Sequence, residues 1–125
     1  MKSLTNAEEQ VMQILWGIKK GFVKDILELF PEPKPAYNTV STIVRILEKK
    51  GFVSYTAFGK THEYYPLISK DDYKRKYLQQ FVKNYFGNSL QELVSFFSQD
   101  ESISAEELEE ITKIINQQIK EQKKK

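Results

Sequence analysis

The 125-residue chain predicts a mainly α-helical fold with one small β-hairpin, on three observations. Apolar residues recur at three- and four-residue spacing in six separate stretches, the period of one helix face. Thr5, Ser69, Ser89 and Ser104 each stand three residues before an acid, the spacing at which a hydroxyl and a carboxylate satisfy the free amides of a helix start. Between the third and fourth stretches, residues 52–58 and 61–66 are rich in β-branched and aromatic types and flank Gly59-Lys60, a two-residue hairpin turn.

Thr5 and Glu8 open the first helix, expected over about 6–19, with Ala7, Val11, Ile14, Leu15 and Ile18 on one face. A short second helix carries Val23, Ile26, Leu27 and Phe30 and is closed by Pro31-Glu32-Pro33-Lys34-Pro35, where three prolines cannot continue it. The third helix is expected over about 37–50. At about 100° per residue, Val40, Ile43, Val44 and Leu47 fall on one compact arc, and Asn38, Ser41, Thr42, Arg45 and Lys49 fall on the opposite one. Lys49-Lys50-Gly51 then reads as a helix end, with cations near the dipole's negative pole and a glycine for the left-handed cap.

Three helices followed at once by a hairpin is the order of a winged helix-turn-helix, in which the third helix enters the DNA major groove and the hairpin forms the wing. Three more helices follow. The fourth holds Tyr73, Tyr77, Leu78, Phe81, Val82, Tyr85 and Phe86 over an arc of about 220°, too wide for one buried face. Gly87-Asn88 breaks it. The fifth contains Leu90, Leu93, Val94, Phe96 and Phe97, and the sixth Leu108, Ile111, Ile114, Ile115 and Ile119. So many aromatics on one long element call for a partner, and a second copy of the chain supplies the two-fold symmetry that palindromic half-sites require.

Composition narrows the chemistry. With 40% apolar and 29% charged residues the chain can bury a core, and 125 residues is about one domain's worth against roughly 150 per domain. The absence of Cys excludes disulfides, thiolate metal sites and cysteine nucleophiles, and His62 alone makes no histidine metal cluster. No acid and base pair stands beside a glycine-rich loop, so no enzyme activity and no cofactor is expected. No apolar run approaches the roughly 20 residues of a membrane span, and MKSLTNAEEQ lacks the apolar stretch of a signal peptide. Hence a cytoplasmic protein without membrane insertion is expected. The net charge of +2 sits wholly in the first half: residues 1–66 hold nine Lys and Arg against seven Asp and Glu, and residues 67–125 hold ten of each.

Leu4-Thr5-Asn6-Ala7-Glu8, Val11 through Trp16, Asn38-Thr39-Val40-Ser41-Thr42 and Leu47-Glu48-Lys49-Lys50-Gly51-Phe52-Val53 together resemble the penicillinase and methicillin-resistance repressors, the BlaI/MecI/CopY group. Gly59-Lys60, Tyr64-Tyr65-Pro66, Phe86-Gly87-Asn88-Ser89 and Ser104-Ala105-Glu106-Glu107 extend the likeness over nearly the whole chain. The resemblance implies a homodimeric winged-helix repressor of a pseudo-palindromic operator, controlling antibiotic-resistance or stress genes. It further implies inactivation by a membrane-bound sensor protease that cuts the fifth helix. The beta-lactam repressors are cut at an Asn-Phe bond, and the matching residues here are Ser95-Phe96. The copper-responsive members carry a C-terminal cysteine cluster that this chain lacks.

The expected division is a DNA-binding domain over 1–68 and a helical dimerisation domain over 69–125. Asn38, Thr39, Ser41, Thr42, Arg45 and Lys49 form the candidate groove face, since hydroxyls, amides and guanidinium groups address base edges and phosphates. Asn38 and Ser41 stand where the family often has Lys and Gln, which points to a different operator. Lys60 at the wing tip suits a phosphate. His62 is expected to pack or lie exposed without a role. Tyr73, Tyr77, Phe81, Tyr85, Leu93, Phe97, Leu108, Ile111 and Ile115 are the candidate dimer surface, their helical spacing favouring packing over base stacking. The alternative is a winged-helix protein-interaction module that binds no DNA.

Overall fold

The computed structural model describes residues 3–125. Their elements run α1 (Asn6–Ile18), α2 (Val23–Glu28), α3 (Tyr37–Lys49), β1 (Val53–Phe58), β2 (Thr61–Pro66), α4 (Lys70–Tyr85), α5 (Leu90–Ser98) and α6 (Ala105–Lys123). The chain divides into two compact units, the first ending at Tyr77 and the second spanning Leu78–Lys125.

Each hydroxyl cap expected from the sequence is made. Thr5 Oγ1 accepts from the Glu8 amide at 3.2 Å while Glu8 Oε1 accepts from the Thr5 amide at 3.1 Å. Ser69, Ser89 and Ser104 accept from the amides of Asp72, Glu92 and Glu107 in the same way. Helix α2 stops at Glu28, two residues short of its apolar stripe. A proline at position 31 disfavours helical backbone at Phe30, and Leu29 and Phe30 instead close tighter three-residue turns onto Ile26 and Leu27. Lys34 then donates to the carbonyls of Glu28 at 2.6 Å and Phe30 at 3.0 Å, satisfying acceptors that the broken helix leaves open.

At the end of α3, the Phe52 amide bonds the Leu47 carbonyl and the Gly51 amide that of Glu48, each at 3.0 Å. Gly51 sits between them at φ 84°, so this is a Schellman cap with its left-handed glycine. It turns the chain directly into β1, which pairs antiparallel with β2 from Val53↔Pro66 to Phe58↔Thr61. Gly21 adds a single rung on the far side of β2, bonding Tyr64 in both directions at 2.9 and 2.8 Å. One residue makes no periodic run, which is why sequence periodicity is blind to it.

The core of the first unit takes Val11, Met12 and Leu15 from α1, Ile26 from α2, Val40, Val44 and Leu47 from α3, and Phe52, Val53 and Tyr64 from the hairpin. Truncating a fully buried leucine such as Leu47 to alanine in a core of this kind costs about 2–5 kcal/mol. Tyr73 is also a member, only 8% exposed, with its ring 5.5 Å from Trp16 and 6.1 Å from Phe52. Its place on the candidate dimer surface is therefore corrected: the first unit's own core claims that side chain. The Trp16 indole donates to the Ile68 carbonyl at 2.9 Å, fixing the start of α4 to α1.

The second unit is thinner. Val82 is its buried aliphatic residue, while Phe86 stacks edge-on near Phe81 and tilts against Phe96, both at 5.7 Å. Neither α5 nor α6 buries a residue fully. Phe81, Tyr85, Val94, Phe96, Phe97, Ile114, Ile115 and Ile119 stay exposed.

Candidate nucleic-acid interface

Helix α3 separates two chemistries. Val40, Val44 and Leu47 are wholly buried, while Asn38, Thr39, Thr42, Arg45 and Lys49 are exposed and Ser41 is half-buried. The arc expected from the 100° projection thus faces outward. Ile46 is exposed as well.

A cleft of about 500 Å³ lies between the start of α2, this face of α3 and the turn of the hairpin. It brings Asn38, Ser41 and Arg45 together with Lys60, four of the residues singled out from sequence. Thr39, Thr42 and Lys49 do not line it and stand on the helix surface outside. The Thr42 hydroxyl donates to the Asn38 carbonyl one turn back at 2.9 Å. Its proton is thereby engaged, and its oxygen lone pairs and methyl group are what remain to address a base.

Lys24, Tyr37, Thr61, His62 and Tyr64 also line the cleft; sequence reasoning expected no role for His62 and assigned none of the others to the site. Lys24 and Tyr37 stand in the first turns of α2 and α3, and no local sequence pattern links the two. His62 lies half-buried with its ring stacked 3.9 Å from Tyr55, a diagonal neighbour across the hairpin. None of the described residues lining the cleft is acidic, and Lys24, Arg45 and Lys60 make no ion pair among the described residues. The wing's carboxylate, Glu63, alternates to the other face of β2 and meets Lys20 at 3.9 Å. Burial, with a further push from the Glu48 carboxylate, raises the Tyr64 pKa, so this phenol remains a hydrogen-bond donor at neutral pH.

Elsewhere the candidate residues are open. Tyr77, Phe81, Tyr85, Phe97 and Ile115 are exposed, and Leu93, Leu108 and Ile111 are half-buried. Ser95 and Phe96 lie on α5; Phe96 is 70% exposed, and the Ser95 carbonyl accepts from the Ser98 hydroxyl at 3.1 Å. Among the described residues no helix is long and apolar enough to cross a membrane, and no cluster of His, Asp or Glu is arranged to hold a metal ion.

Known proteins share this chain's plan. Residues 4–117 match the family described as penicillinase repressor. The methicillin resistance regulatory protein MecI of Staphylococcus aureus strain N315 is 31% identical over 114 residues, covering 90% of this chain and 93% of MecI. The penicillinase repressor of Bacillus licheniformis is 25% identical over 115 residues, 91% of this chain and 90% of that protein. The solution structure of the DNA-binding domain of the repressor BlaI matches with a TM-score of 0.50 and 27% identity, covering 58% of this chain and 94% of that domain.

Proposed function

This chain belongs to the penicillinase repressor family, DNA-binding transcriptional repressors rather than enzymes, and we propose that it acts as a homodimer on a pseudo-palindromic operator of resistance or stress genes in the cytoplasm. In this reading α3 enters the major groove. Thr39, Thr42 and Arg45 address base edges, Asn38 and Ser41 flank them, and Lys49 and Lys60 meet phosphates. The observation that carries it is the meeting of Asn38, Ser41, Arg45 and Lys60 around one acid-free cleft between helix and wing.

Residues 69–125 form the dimerisation region of this proposal, through Tyr77, Phe81, Tyr85, Leu93, Phe97, Leu108, Ile111 and Ile115. The support is the exposed apolar surface of the second unit, which a two-fold partner would cover. The inducing step is cleavage by a membrane-bound sensor protease at Ser95-Phe96, which detaches α6 and weakens the dimer. Exposure of Phe96 supports that bond as the target.

Selection of genomic DNA fragments by the purified full-length protein tests the reading. Enrichment of the promoter beside its own gene, with a two-fold sequence in the footprint, is the expected result. Recovery of no fragment above background at low salt would leave the fold as a protein-interaction module.

A further inference from the structure

Helix α3 carries one exposed aliphatic residue, Ile46, to which the polar groove face assigns no role. With Thr39 at zero and about 100° per residue, Ile46 falls at about 340°, between Thr42 at about 300° and Thr39. Ile43 packs against the core, whereas Ile46 stands 37% open to solvent. It lies outside the cleft, with Arg45 on the far side of Thr42. Thr39, Thr42 and Ile46 are all β-branched, so each holds its side chain stiffly in a helix. Thr42 is fixed further: with its hydroxyl bonded to the Asn38 carbonyl at 2.9 Å, its methyl group keeps one staggered position. From Thr39 to Ile46 the three side chains extend over about 10 Å of helix axis, close to three base-pair steps of about 3.4 Å.

We propose that Ile46 is a specificity-determining residue of the operator complex, packing on the 5-methyl group of a thymine in each half-site, in one apolar stripe with the methyl groups of Thr39 and Thr42. The proposal rests on the operator-binding reading above and adds what the DNA must carry opposite this part of α3. Isoleucine neither donates nor accepts a hydrogen bond, so apolar contact is its whole means of telling bases apart. In the major groove, thymine is the base that offers a methyl group. Set against the amino group of cytosine or the oxygen of guanine, the same side chain would strip water from a polar edge and return no hydrogen bond. Ile46 thus favours one base by attraction and rejects others by desolvation.

The test uses the full-length protein and the duplex recovered by the genomic selection above, with each thymine of one half-site replaced in turn by deoxyuridine. That exchange removes a single methyl group and keeps every phosphate and every hydrogen-bonding edge. At one position wild-type affinity falls about fourfold, the worth of one buried methyl group. Ile46→Ala binds the unmodified duplex more weakly and no longer responds to the exchange at that position. Its salt slope stays that of the wild type, because no phosphate contact is lost. Alanine favours helix at an exposed position, and the wild-type series needs no variant at all, so the result does not hinge on how the variant folds. Uracil exchange that costs the wild type nothing anywhere, or that costs wild type and Ile46→Ala the same at every position, overturns the assignment and leaves the operator reading standing. A wild type that selects no duplex at low salt sinks the operator reading and this inference with it.

Discussion

Lys50 Nζ lies 2.6 Å from Glu8 Oε1, joining the residue that caps α3 to the first turn of α1. The same carboxylate oxygen accepts the Thr5 amide, and the Lys50 ammonium also donates to the Ser3 carbonyl at 3.1 Å. Burial opposes ionisation of Glu8, but the Lys50 ammonium and the Thr5 donors outweigh it and hold the carboxyl below its usual pKa. A depressed carboxyl stabilises the fold fully above the unfolded value of about 4.3 and loses that contribution as pH falls through the folded value.

Glu8→Gln should therefore destabilise the protein by about 1–3 kcal/mol at neutral pH, because it leaves the Lys50 ammonium without its counter-charge. Below about pH 5 the gap to wild type should narrow. Urea unfolding from pH 7 down to pH 3 measures both curves, and a gap that stays constant over that span contradicts the assignment.

Thr42→Ala should weaken operator binding by about 1 kcal/mol and relax preference at one position per half-site, with little effect on scrambled DNA. Loss of the bond to the Asn38 carbonyl does not disturb α3, whose backbone ladder is intact without it. Competition titrations across single-base operator variants read the change. An unaltered specificity ratio would remove α3 from the base-reading role.

Lys60→Ala should show the opposite signature. A lysine at an exposed wing turn contributes a point charge, so affinity should fall alike on every sequence and the salt slope should drop by about 1 per protomer. Sequence-dependent losses would instead assign Lys60 to base contact.

Phe81→Asp should weaken self-association, since it places an unpaired charge in an apolar surface. Sedimentation at micromolar concentration should show the wild type heavier than the 14.7 kDa monomer and the variant shifted toward it. A wild type that sediments only as monomer defeats the dimer proposal.

Truncation after Ser95 should reduce operator affinity by removing α6 and the end of α5 while leaving α3 untouched. Undiminished binding by the truncated protein would break the link between cleavage and induction.

Helix starts, the buried arc of α3 and the hairpin register were legible because each depends on a local pattern: Thr5 with Glu8, Val40 with Val44 and Leu47, Gly59 with Lys60. What escaped was non-local. The Glu8–Lys50 pair spans 42 positions and the Trp16 bond to Ile68 spans 52, so no window contains both partners. Tyr73 looked like one more member of the α4 aromatic stripe, and only the fold reveals that Trp16 and Phe52 meet it. In the candidate site, the α3 arc followed from periodicity, whereas Lys24 and His62 join it through the bend of the chain.

The linker between α1 and α2 holds the wing through Gly21, which is bonded to Tyr64 in both directions, and through the Phe22 ring, which meets that of Phe58 edge-on at 5.9 Å. Supported at both points, the hairpin behaves as one jaw of a caliper whose other jaw is α3, with the opening preset before any nucleic acid arrives. In the operator complex proposed above, little ordering entropy would then remain to be lost on association, and the gap would select duplexes by width and local curvature. Sequence steps that the side chains never touch would thereby be screened by the stiffness of the DNA itself.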